Sequence, residues 1–207
     1  MALRELDLPP SPVLPDDVRA FLRDADRRIE RFQRECRAPG FVPSDFPRAY
    51  GILRALMESG AAPGPLFCEW GSGFGVIACL AAMLGFDAHG IEIEVDLVDA
   101  ARRLADDFDL PVEFVCGSFI PPEGETCLGA DNEYAWLCTR ADRTEDELGL
   151  APADFDVVFA FPWPDEEYVI PALFDRHAAP GAVLVTYHEA AEFRVRRKGR
   201  SAERRSL

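Results

Sequence analysis

Glu69-Trp70-Gly71-Ser72-Gly73-Phe74-Gly75 joins a short apolar run, Leu66 to Trp70, to a helical one running from Val76 to about Leu84. Glycines at alternate positions let the backbone turn sharply and come close to a ligand. The helix that follows presents unpaired N–H groups at its start. Strand, glycine turn and helix in this order form the ligand-binding end of an open α/β sheet, where ligands lie outside the carboxyl ends of the strands. A dinucleotide fingerprint, G-x-G-x-x-G, would need glycine or alanine where Val76 stands; the spacing here is G-x-G-x-G. Glu69, two residues before Gly71, suits a cationic ligand better than a pyrophosphate.

Outward from this stretch the chain alternates strand and helix. Ala88 to Ile93 is expected as a strand, Leu97 to Phe108 as a helix, and Val112 to Cys116 as a third strand. Phe155 to Phe161 is a fourth, Glu166 to His177 a helix, and Ala182 to Tyr187 a fifth strand after the Pro180-Gly181 turn. Such alternation argues for a parallel sheet with helices on both faces and right-handed crossovers. Upstream, Met1 to Pro15 is proline-rich and extended. Asp16 to Arg37 carries an apolar stripe of Val18, Phe21, Leu22, Ala25, Ile29 and Phe32 at helical spacing, stopped by Pro39-Gly40. Pro43 to Pro47 reads as a turn, Tyr50 to Ser59 as a second helix and Gly60 as its stop.

Two further places carry chemistry. Glu92, in Gly90-Ile91-Glu92-Ile93-Glu94, falls at the end of the second strand, where an acid can accept both hydroxyls of a ribose. Ser118, in Cys116-Gly117-Ser118-Phe119, ends the third strand and can bond a base edge; Phe119 either packs on that base or belongs to the core.

These residues together resemble the class I S-adenosylmethionine-dependent methyltransferases over residues 66 to 187. The first motif matches Glu69 to Gly75 and the second-strand acid matches Glu92. The adenine loop matches Gly117-Ser118, with serine where an acid is common, and the fourth motif matches Asp156 to Pro164. The resemblance implies a Rossmann-like sheet, S-adenosyl-L-methionine as cofactor, and cofactor contacts from Glu69, Gly71, Ser72, Gly73, Gly75, Glu92, Ser118, Phe119 and Phe161. Further upstream, Phe41-Val-Pro-Ser-Asp-Phe46 is similar to the small lysine methyltransferases of the ATP-synthase-subunit type, in which that segment covers the cofactor. Enzymes that methylate exocyclic base amines carry Asn or Asp where Phe161 stands, so base N-methylation is not expected. Rival readings are a catalytically silent nucleoside-binding protein and an NAD-dependent oxidoreductase.

Methyl transfer needs position and a dry site more than a general base. Trp163, flanked by Pro162 and Pro164, and Tyr168 lie on the loop after the fourth strand and are candidates for the reaction site. Asp165, Glu166 and Glu167 either orient an ammonium or guanidinium nucleophile or, the reading favoured here, form a first helical turn that complements the helix dipole. His188 is either a general base at the fifth strand's end or an ordinary surface histidine. Pro121 to Ala153, with Cys127, Tyr134, Trp136 and Cys138 and a helix over Glu133 to Arg140, is long for a connection and stands where a substrate lid would be.

The chain has 207 residues, about one domain, with 48% hydrophobic and 29% charged residues. Its net charge of −15 repels phosphate backbones, so the expected partner is a small molecule or a protein and not a nucleic acid. No apolar run is long enough for a membrane span, no leader is visible, and the cysteines read as reduced thiols of a cytoplasmic protein. Three scattered histidines offer no metal site. Three parts are expected: a helical extension over 1–65 packed on the core, a cofactor-binding core over 66–190, and a basic strand or tail over 191–207. From Arg194 to Arg205 the expectation is a solvated terminus, with contact to a nucleic acid or an acidic partner as the alternative, and Glu192 to Lys198 has the length for one strand. That shortened end leaves five parallel strands plus at most one more. The bare edge would be covered by the N-terminal helices or by a second subunit in a homodimer.

Overall fold

The computed structural model describes residues 3–8, 13–35, 41–121, 144–163, 167–188 and 192–199. In chain order the elements are β1 (Leu3–Glu5), α1 (Asp16–Glu35), α2 (Phe46–Glu58), β2 (Leu66–Trp70), α3 (Val76–Met83), β3 (Asp87–Glu92), α4 (Val95–Asp107), β4 (Val112–Cys116), α5 (Thr144–Leu148), β5 (Val157–Ala160), α6 (Val169–His177), β6 (Val183–His188) and β7 (Glu192–Lys198). The expected alternation holds, with ends shifted by a few residues.

One seven-stranded sheet has the order β1-β7-β6-β5-β2-β3-β4. The strands from β4 to β6 are parallel, while β7 runs antiparallel to β6 and to β1. The chain moves outward from β2 through β3 to β4, then crosses back to β5 and moves the other way. Strand order therefore reverses between β2 and β5, and the crevice outside their carboxyl ends is the place where this architecture binds ligands.

Period-two alternation sends successive side chains to opposite faces. Phe67, Val157, Phe159, Val183 and Val185 enter one core with α1 to α4, and Cys68, Trp70, Val158, Ala160 and Leu184 enter a second with α6. The stripe on α1 buries Val18, Phe21, Leu22, Ala25 and Ile29, and Phe21 meets Phe108 edge-on. Burial pushes the Cys68 and Cys79 thiols well up, so both sit as neutral apolar groups.

Three expectations need correction. The segment Pro43 to Pro47 is not all turn: α2 begins at Phe46, because the Asp45 carboxylate accepts from Arg48 N at 3.1 Å and Pro47 suits the first turn. The sheet has seven strands, not six at most, since Leu3–Glu5 pairs with Arg196–Lys198. The edge is thus covered by the N-terminal strand, not by the N-terminal helices. Residues 194 to 198 are not a solvated tail either. Arg197 donates to the Ala61 carbonyl, and buried Lys198 Nζ donates to the Ala178 carbonyl at 2.6 Å, so the cations fasten β7 to both faces. Arg200, Arg204 and Arg205 lie outside the described residues, as do Cys36, Pro39-Gly40, Cys127, the Glu133 to Arg140 helix with Tyr134, Trp136 and Cys138, and Pro164, Asp165 and Glu166. Among the described residues no helix is long and apolar enough to cross a membrane, and no three His, Cys, Asp or Glu side chains gather as metal ligands.

Candidate functional site

The turn from β2 to α3 takes three left-handed steps, at Gly71 (φ +71°), Gly73 (φ +52°) and Gly75 (φ +72°). Gly71 N and Ser72 N both donate to the Ile91 carbonyl at 2.9 Å, which pins the turn to β3. At Gly75 conformation and space agree: a Cβ would stand 2.5 Å from Phe114 Cζ and 2.8 Å from Ala101 Cβ. At Gly73 the Phe41 ring fills that place, 2.7 Å from where a Cβ would be. Phe41 also lies 6.2 Å from the Phe74 ring, and Phe74 meets Phe32 at 5.7 Å. The segment before α2 therefore rests on the glycine turn. Around Gly71 a Cβ would meet nothing within 4 Å, so the cradle is open there.

Gly75, as the residue before α3, has no side chain to cap the helix. Glu69 does this from the strand: its Oε2 accepts from Ala78 N at 2.9 Å. Glu92 grips the turn from the other side. Its Oε2 accepts from Gly73 N at 2.7 Å, and its Oε1 from Ile93 N at 2.7 Å and Glu94 N at 3.0 Å. Burial raises both carboxyls above the usual range. For Glu69 the Ala78 N–H opposes the rise and the Glu92 charge adds to it. For Glu92 three backbone N–H groups oppose it. Neither acid is bonded to a cation among the described residues. Ser72 Oγ is buried and has no partner among them.

At the end of β4, Ser118 Oγ accepts from Ile120 N at 3.1 Å, and the Ser118 carbonyl accepts from the Thr144 hydroxyl at 2.9 Å. Phe119 stacks on Trp70, with centroids 5.3 Å apart and planes at 6°, so its ring is part of the second core's packing.

Across the reversal point the surroundings are aromatic. Phe161, just past β5, meets Tyr187 edge-on at 4.7 Å; Tyr187 meets Phe193 of β7 at 4.7 Å. The Arg48 guanidinium stands 5.5 Å from the Phe193 centroid. Trp163 is half-buried nearby in sequence, and Tyr168 is exposed.

His188 is not a surface histidine. It is 3% exposed, with Nδ1 2.9 Å from Glu167 Oε1 and Nε2 2.8 Å from Thr186 Oγ1. Arg196 also donates to Thr186 Oγ1, at 3.1 Å. A carboxylate only accepts, so Nδ1 carries the proton, and in the neutral ring Nε2 accepts from the threonine hydroxyl. Burial lowers the Arg196 guanidinium below its ordinary value, opposed by Glu5. With both nitrogens engaged, His188 fastens the approach to α6 onto β6 and is not placed as a base. Glu167 precedes α6 instead of lying in its first turn, because the helix begins at Val169.

The fold thus brings Glu69, Gly71, Ser72, Gly73, Gly75 and Glu92 together across the ends of β2 and β3. Ser118 and Phe161 stand at the neighbouring strand ends, while His188 turns to the second face. Thr186, Arg196, Arg48 and Phe193 were not read from the sequence. Period-two spacing in Thr186-Tyr187-His188 was the available signal, since it puts threonine and histidine on one face.

No protein-family profile and no curated protein matches the chain. Among solved structures it is similar to an RNA methyltransferase from Salinibacter ruber in complex with S-adenosyl-L-homocysteine. The TM-score is 0.51 at 20% identity, over 76% of this chain and 92% of that one. It is also similar to the cofactor-bound Rv0187 protein from MTB, with TM-score 0.51, 18% identity and coverage of 84% and 65%. A third is the O-methyltransferase from Bacillus cereus in complex with SAH, with TM-score 0.50, 16% identity and coverage of 84% and 66%. The chain spans slightly under two thirds of the last two. The chain has the Rossmann-like fold of class I S-adenosylmethionine-dependent methyltransferases.

Proposed function

We propose that the chain binds S-adenosyl-L-methionine and transfers its methyl group to a small molecule or a protein side chain. One observation carries the reading: two buried carboxylates, Glu69 and Glu92, flank an open glycine turn at the strand-order reversal, with no cation bonded to either among the described residues. A ligand with a sulfonium, an ammonium and a ribose diol complements that arrangement. A dinucleotide pyrophosphate would be repelled by it.

The open cradle at Gly71 fits such a ligand. Glu92 would hold the ribose hydroxyls, the turn would seat the amino-acid end, and the Ser118 loop would border the base. When bound, the sulfonium supplies the electrophilic methyl group. The chain's own part is to orient the two molecules and exclude water. Phe41 covers the turn, and Phe161 and Trp163 border the acceptor side.

The acid-rich composition favours a small-molecule or protein acceptor over a polynucleotide. The buried neutral thiols of Cys68 and Cys79 suit a reducing, cytoplasmic setting.

Calorimetric titration with S-adenosylmethionine, S-adenosylhomocysteine and NADH tests the reading. Micromolar binding of the first two, no response to NADH, and loss in Glu92→Ala are expected. Binding of NADH alone would overturn it, and cofactor binding without turnover on any acceptor would favour a silent nucleoside-binding protein.

A further inference from the structure

We propose that the acceptor subsite is the wall formed by Phe161, Tyr187 and Phe193, and that it takes a flat aromatic molecule carrying a negative charge. The inference rests on the methyltransferase reading and narrows it to a substrate class. Alternation fixes where the rings stand. Phe161, just past β5, follows Phe159 by two positions, Tyr187 follows Val185 on β6, and Phe193 precedes Val195 on β7; Phe159, Val185 and Val195 all belong to the first core. The three rings therefore continue that core at the strand ends, on the edge where ligands bind.

The rings behave differently from the core beneath them. Phe159, Val185 and Val195 are buried, whereas Phe161, Tyr187 and Phe193 are each only half-buried. They form a continuous surface, with Phe161 and Tyr187 4.7 Å apart at 69° and Tyr187 and Phe193 4.7 Å apart at 43°. Tilted ring contacts of this kind leave π faces and edges for a further flat ring. Phe161 immediately follows β5, beside the strand-order reversal, so a molecule on this wall lies next to the glycine turn.

Charge selects among flat molecules. Arg48, exposed on the first turn of α2, places its guanidinium 5.5 Å from the Phe193 centroid. An ammonium brought to the wall would meet that cation and find the Phe193 cation–π position already taken. A carboxylate or phenolate would be attracted. The net charge of −15 opposes anions at long range, but salt screens beyond roughly 8 Å, so charge beside the wall weighs most, and there the Arg48 guanidinium meets the Phe193 ring.

The test uses the full chain saturated with S-adenosylhomocysteine and three probes in a calorimeter: 4-hydroxybenzoate, cyclohexanecarboxylate and N-acetyl-lysinamide. We expect 4-hydroxybenzoate to bind at least tenfold tighter than either other probe. Tyr187→Leu should weaken it at least tenfold, Tyr187→Phe should restore it, and Arg48→Gln should weaken it about fivefold. Cyclohexanecarboxylate binding as well as 4-hydroxybenzoate, a preference for the lysine probe, no probe binding, or indifference to Tyr187→Leu in a variant of unchanged melting temperature would each overturn the proposal. Failure of S-adenosylhomocysteine itself to bind sinks the cofactor reading separately. The same probes on the unloaded protein then decide the wall by the same criteria.

Discussion

The two halves of the carboxyl edge are built from different materials. Over β2, β3 and β4 the polar work is done by backbone: glycine N–H groups, a strand carbonyl and two buried acids that accept from the main chain. Over β5, β6 and β7 it is done by side chains: half-buried rings on one face and the Glu167–His188–Thr186–Arg196 chain on the other. A site made of backbone tolerates little change, because its geometry is set by φ and by close approach. A site made of side chains can be reshaped one residue at a time while the sheet beneath stays put. The first half suits a ligand shared by many proteins, the second a ligand peculiar to one.

If that contrast is right, Gly75→Val should do the most damage. It combines a left-handed φ with a Cβ driven into Phe114, and it should cost about 3–5 kcal/mol in urea unfolding. A stable, cofactor-binding Gly75→Val protein would break the comparison. Next, Glu92→Ala removes the acceptor for three N–H groups and should weaken S-adenosylhomocysteine about 100-fold by calorimetry, the scale of a lost pair of charge-assisted hydrogen bonds. On the other half, His188→Gln should cost about 2 kcal/mol of stability by leaving Thr186 and Glu167 poorly matched. Its affinity for S-adenosylhomocysteine should stay within about twofold; a large loss would mean the halves are coupled.

The smallest effect concerns pH. Burial holds the Glu69 carboxyl above its unfolded value, so the folded chain binds this proton more tightly than the unfolded chain does. The linked stability is fully present below the unfolded value and is lost as pH rises through the higher folded one. Glu69→Gln should remove that fall, so the difference between wild type and variant should shrink towards acid in urea titrations. A difference constant with pH would show that Glu69 binds its proton equally well in the folded and unfolded chain.

The glycine half was largely legible from sequence because its requirements are local. Alternate glycines, an acid before them and an acid at the next strand's end state their own geometry. Even there the sequence offered Glu69 to a ligand, and only the structure shows it capping α3. The aromatic half was less legible because its contacts join distant segments: Arg48 with Phe193, Arg196 with Thr186, Glu167 with His188. His188 was readable as a strand-end histidine, but its burial depends on residues that no local pattern brings near. The three-residue strand Leu3–Glu5 was missed for the same reason, since so short a run carries no period of its own.

That strand has a consequence for how the molecule is assembled. Leu3 and its partner Lys198 lie about 195 positions apart along the chain, so the outer rung of the sheet cannot form until β7 has been made. Until β7 arrives, β6, with its Val183-Leu184-Val185 run, has a raw edge able to pair with a neighbouring chain. β7 then acts as the clasp of a folder: it closes that edge, Arg197 and Lys198 fasten it to the two faces, and β1 pairs along its far side.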